Sequence, residues 1–121
     1  MMQYYGIPVG ISDKKIGASF DEYIINDLLR EKYNFDGIVC SDWALITDRL
    51  LPNGKVFKPA SAFGLEDQTT AERIPKLIAA GIDMLGGESL TNELANLIRS
   101  GILSEQRIAQ SLTSIMQEQC T

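Results

Sequence analysis

The stretch Phe35-Asp36-Gly37-Ile38-Val39-Cys40-Ser41-Asp42-Trp43 constrains this chain more than any other. Gly37 to Cys40 is too short for a helix of its own. Ile38 and Val39 are β-branched, and the apolar run is continuous rather than alternating, which predicts a strand covered on both faces, as in a parallel sheet. Ser41, Asp42 and Trp43 then fall at the C-terminal end of that strand, where α/β enzymes carry their reactive groups.

The rest of the chain alternates strand and helix signals. Met1 to Tyr5, apolar and aromatic and closed by Gly6-Ile7-Pro8, reads as a strand. Ser19-Phe20-Asp21-Glu22 reads as a capping box opening a helix to about Tyr33, with Ile24, Ile25, Leu28 and Leu29 inward. Thr47 to Gln68, holding Pro52, Asn53-Gly54 and Pro59, is too turn-rich for a regular element and predicts a long connection. Thr69-Thr70-Ala71-Glu72 is a second capping box, ahead of an Ile74, Leu77, Ile78 stripe that stops at Gly81; Pro75 should bend that helix or delay its start. Ile82 to Leu85 reads as a third strand, closed by Gly86-Gly87. Thr91 is expected to cap a helix with Leu94, Leu97 and Ile98 inward and Gly101 as its C-cap. Ser104 should cap another, with Ile108, Leu112, Ile115 and Met116 inward. The order β-α-β-loop-α-β-α-α implies a parallel sheet with right-handed connections, in a single α/β domain over residues 1–121.

Composition removes several classes of function. Eleven Lys+Arg stand against sixteen Asp+Glu, with no basic cluster, which argues against a nucleic-acid or anionic-membrane partner. There is no His, so His-based triads and His metal sites are excluded, and the two cysteines, Cys40 and Cys120, form neither a CxxC site nor a disulfide framework; no metal or other cofactor is expected. No segment approaches the apolar length of a membrane span, and Met1 to Tyr5 lacks the basic start of a signal peptide, which leaves the compartment open.

With parallel strands, all the exits lie on one rim, which gathers Tyr4 and Tyr5, then Ser41-Asp42-Trp43, then Met84 with Gly86-Gly87-Glu88. Aromatic faces pack on the C–H face of a pyranose, and a carboxylate can hold its hydroxyls or attack its anomeric carbon, so a carbohydrate is the natural ligand. Read from spacing alone, Asp42 also suits a turn or cap residue and Trp43 a packing residue. Glu88 reads first as a helix-capping acid and second as an acid/base; Asp83, inside a strand, should bond to nearby backbone.

The residues from Tyr23 to Trp43, with Asp27-Leu28-Leu29-Arg30 ahead of the Ser41-Asp42-Trp43 run, resemble the barrel domain of glycoside hydrolase family 3, the β-glucosidase type. Ala79-Ala80-Gly81-Ile82-Asp83-Met84 is similar to that family's Ala-Gly-x-Asp-Met segment, and Ser100-Gly101-Ile102-Leu103-Ser104-Glu105-Gln106-Arg107-Ile108 to its closing helix pair. The resemblance implies a partial (β/α)₈ TIM barrel, its last three parallel strands with flanking helices, where a complete barrel takes about 250 residues. It further implies a fragment of a retaining β-glycosidase acting on β-glucosides. Asp42 would be the nucleophile that forms a covalent glycosyl-enzyme, Trp43 would pack on the sugar, and Tyr4 would match a tyrosine near the nucleophile. The family's acid/base comes from a second domain or a loop His, and this chain shows neither, so activity in isolation is expected to be absent or weak. The loop bearing Arg49, Asn53-Gly54 and Lys58 is expected to supply none of the missing sugar contacts. A reading of another class is a non-catalytic α/β interaction domain, binding a partner chain or a second copy through an open sheet edge.

Overall fold

The computed structural model describes residues 1–120. Three chain segments run side by side and parallel, joined at single bridges from Met2 to Cys40 and from Cys40 to Met84. Their backbones interlock: Cys40 N–H donates to Met1 O (2.8 Å), Asp83 N–H to Val39 O (2.8 Å) and Ser41 N–H to Met84 O (2.9 Å). The three segments expected to be strands thus meet in parallel at isolated bridges, and among the described residues none of them forms a strand.

The regular sheet lies elsewhere, and it corrects the expectation of a long structureless connection. β1 (Arg49–Leu50) pairs antiparallel with β2 (Val56–Lys58), with Arg49 opposite Lys58, Leu50 opposite Val56 and an irregularity between them. Asn53-Gly54 makes the turn. Gly54 sits at φ +82 and its N–H donates to Leu51 O, while the Asn53 carboxamide accepts from Lys55 N–H, the local bonding that favours Asn-Gly in hairpins.

Helices pack around these segments. A 3₁₀ turn (Ala18–Phe20) leads into a π-helix (Tyr23–Lys32), and Tyr33 N–H closes it five residues back on Leu28 O. Ser19 does not cap it. Ser19 is buried and accepts from Gln3 Nε2, and the Asp21 carboxylate takes the Tyr23 N–H instead. α1 (Thr70–Ala80) has the predicted capping box between Thr69 and Glu72 and closes on Gly81 at φ +116, where a side chain would collide with Asn26 and Ile25. Pro75 lies inside α1 without delaying its start; the carbonyl it leaves without a donor belongs to Ala71, which is exposed to water. α2 (Thr91–Arg99) has Leu90, not Thr91, at its N-cap and closes on Ser100, one residue before the predicted Gly101. α3 (Glu105–Gln119) is capped by Ser104, as its sequence predicts.

The core gathers Ile25, Val39, Leu45, Ile46, Ile74, Leu77 and Ile82, all at most 1% exposed. α3 departs from its predicted face: Leu112 and Met116 are more than half exposed, and Ser111 is buried in their place. The cause is polar. Arg107 and Ser111, four residues apart, both turn toward Asp83 and rotate the apolar stripe outward, beside a concavity of about 360 Å³ that reaches Met84. Among the described residues no helix is long and apolar enough to cross a membrane.

Candidate functional site

The residues after the central segment are held from behind, and Ser41 does the holding. It is fully buried, its N–H donates to Met84 O, and its hydroxyl accepts from Gly86 N–H at 2.9 Å, which draws the 84–87 turn against the 41–43 turn. Asp42 follows at the exit, half-buried, and its Oδ1 accepts from its neighbour Trp43 N–H at 2.7 Å. Trp43 is half exposed and lays its indole over Gly87; at φ +66, and with the indole in the way, no other residue fits there.

The turn beyond Trp43 carries backbone strain. Ala44 sits in the left-handed region at φ +58 while buried, and its carbonyl accepts from Ser61 N–H at 2.6 Å. An alanine in that conformation costs about 1–2 kcal/mol, which surrounding contacts must offset. Glu88 supplies some of them. Its Oε1 accepts from Ile46 and Thr47 N–H, and its Oε2 from the Thr47 hydroxyl at 2.6 Å. Glu88 therefore anchors the loop after Trp43 rather than, as expected, capping the helix that follows it, and both of its oxygens are engaged. Asp83 also bonds backbone, accepting from Val39 N–H at 3.0 Å, and adds ion pairs to Arg30 at 2.6 Å and Arg107 at 3.9 Å.

The tyrosine that reaches this rim is Tyr5. Its hydroxyl donates to Trp43 O at 2.8 Å, and burial, followed by hydrogen bonding to Asp42 and that carboxylate's charge, raises its pKa above the ordinary 10.0. Tyr4, the residue expected from the resemblance, is 80% exposed with its ring against Gly6. Neighbouring residues of an extended segment point to opposite sides, so only one of the two can face Asp42. Cys40 lies just behind the site, where burial raises its thiol above the usual range.

Two residues here had no signal in the sequence. Lys58 Nζ stands over the Tyr5 ring, 4.5 Å from its centre, and the Arg49 guanidinium donates to Gly87 O. The hairpin thus leans on the rim that bears Asp42, Trp43 and Tyr5. A cross-strand pair could be found only after the 49–58 stretch was known to be a hairpin.

Residues 9–117 match the family model described as "Glycosyl hydrolase family 3 N terminal domain". Among curated proteins the chain is 39% identical over 118 residues to β-glucosidase C of Emericella nidulans, covering 98% of this chain and 19% of that protein. It is 31% identical to the periplasmic β-glucosidase/β-xylosidase of Dickeya chrysanthemi, covering 95% and 18%. The chain therefore spans about a fifth of the length of these relatives. Among solved structures, CbsA from Thermotoga neapolitana superposes with a TM-score of 0.68 at 21% identity, over 97% of this chain and 24% of that one. The β-glucosidase of Listeria innocua in complex with glucose superposes with a TM-score of 0.64 at 21% identity, over 85% and 13%. At such identities these two show the fold alone.

Proposed function

Since the chain belongs to glycosyl hydrolase family 3, we propose that it forms the nucleophile-bearing part of a retaining β-glucosidase. In this reading the parallel segments bridged at Met2, Cys40 and Met84 are consecutive strands of a (β/α)₈ barrel, and Asp42 stands at the exit of the middle one.

Asp42 attacks the anomeric carbon of a β-glucoside. A carboxylate C–O bond to the sugar forms as the bond to the leaving oxygen breaks, and water later hydrolyses the glycosyl ester. Trp43 offers the exposed face of its indole to the C–H face of the sugar, held in place by the Gly86-Gly87 turn and by the Tyr5 hydroxyl on its carbonyl. Departure of the leaving group needs a second carboxyl about 5–5.5 Å from the nucleophile. Glu88 is committed to the 46–47 backbone, so the proton donor comes from a part of the enzyme outside these residues, and the chain by itself turns over little or nothing.

What carries the reading is the state of the carboxylate. Asp42 stands at the strand exit beside Trp43, and among the described residues it accepts only from the Trp43 N–H and the Tyr5 hydroxyl. The test exchanges the matching segment of the Emericella nidulans relative for this chain and treats the hybrid with a 2-fluoro β-glucoside that traps the covalent intermediate. The label is expected on the peptide containing Asp42, and Asp42→Asn should lower turnover by about 10⁴-fold. A folded, active hybrid labelled at any other residue would overturn the assignment.

A further inference from the structure

Arg49 and Lys58 are directly opposite each other on β1 and β2, both half-buried and both turned to the rim. Like charges facing across a strand pair destabilise it, so two cations in register need something negative nearby. Among the described residues neither forms an ion pair; both ion pairs found there belong to Asp83. Asp48, next to Arg49 in the chain, uses its Oδ1 to accept from Ala60 N–H at the base of the hairpin. Arg49 donates through Nη2 to a neutral carbonyl, and Lys58 stands over the aromatic face of Tyr5. These partners orient the two cations without neutralising them. The chain as a whole is acidic, at −5, so a general excess of positive charge does not account for the pair.

Resting on the glycosidase reading, we propose that Arg49 and Lys58 form an anion-reading wall of this site, selecting glycosides that carry a carboxylate on the leaving-group side. The hairpin borders the site through Lys58 over the Tyr5 ring and Arg49 on the Gly87 carbonyl, beside the half-exposed indole of Trp43. A guanidinium offers a carboxylate a planar fork and an ammonium offers a point charge, so together they would hold both of its oxygens.

Trp43, the only tryptophan, reports occupancy of the rim in the intact chain. Its fluorescence is titrated with 4-carboxyphenyl β-glucoside and with the neutral methyl ester of the same compound. The acid is expected to bind about tenfold more tightly than the ester at low salt, the worth of one partly exposed charge-assisted hydrogen bond, and added salt should erode the preference. The acid-to-ester ratio should fall toward one in Lys58→Gln and in Arg49→Gln, and stay at its original value in Lys55→Gln, which removes an equal charge from the exposed turn. Because the readout is a ratio, a general loss of folding cannot imitate it. Equal binding of acid and ester would overturn the proposal while leaving the glycosidase reading intact. So would a parallel loss of both ligands in the two variants, which would assign the cations to Asp42 instead. If sugar-free benzoate were bound as well as the acid and the ester not at all, the wall would stand and the glycosidase reading would fall.

Discussion

Asp83 and Asp42 are both acids of the parallel segments, and they are held in opposite ways. Asp83, with a side chain 5% exposed, has both oxygens engaged: Oδ2 by Arg30 and the Val39 N–H, Oδ1 by the Ser111 hydroxyl with Arg107 close by. Arg30 spreads over the carbonyls of Gly37 and Gly81 as well, and Arg107 over those of Ile78 and Ile82. One cluster thus ties the π-helix, α1, α3 and two of the bridged segments together. Among the described residues Asp42 accepts only from its own neighbour's N–H and from the Tyr5 hydroxyl beside it. A carboxylate whose lone pairs are all spoken for is part of the frame; one left open at a strand exit is available for chemistry.

Substitution should separate the two most strongly. Asp83→Asn would leave two largely covered guanidiniums short of a counter-charge and is expected to lower the unfolding free energy by about 2–4 kcal/mol, somewhat less than a fully buried pair because the arginines are about a quarter exposed. Asp42→Asn should change stability by no more than about 0.5 kcal/mol. Urea unfolding of both variants measures this, and a larger loss at Asp42 than at Asp83 would break the contrast.

Glu88 sharpens the comparison, since it stands near the rim yet is bonded like Asp83. Glu88→Gln should cost about 1–2 kcal/mol by weakening its hold on Ile46, Thr47 and the Thr47 hydroxyl. Faster amide exchange should be confined to that loop. Unchanged protection there would return Glu88 to the candidates for acid/base.

The smallest effect concerns Tyr5. Its pKa is raised, so the folded chain keeps that proton longer than the unfolded one; its contribution is complete below the ordinary value of 10.0 and is lost as pH climbs through the folded value. Tyr5→Phe should flatten that alkaline fall in the melting temperature. A fall of the same steepness in the variant would detach Tyr5 from Asp42.

Much of this was legible in the residues. The capping box at Thr69 and Glu72, the Ser104 cap and the stop at Gly81 are local patterns, decided within a turn of backbone, and they hold in the structure. The meeting of the three segments also follows from their order and apolar character. The hairpin was signalled by Asn53-Gly54 between apolar pairs, yet its setting among prolines hid it. The face of α3 could not be read, because its apolar period is overruled by a distant acid, Asp83, that draws in Arg107 and Ser111.

The sequence by itself determined the family, the alternation of elements and the acid at the exit of the central segment, since each is written in neighbouring residues. Only the tertiary structure decided that Tyr5 rather than Tyr4 reaches Asp42, that Glu88 is bound to backbone, and that Arg49 and Lys58 border the same rim. Those relations join residues up to 53 positions apart, as at Tyr5 and Lys58. Side-chain direction and the pairing of charges depend on which segments pack together, and no local pattern encodes that.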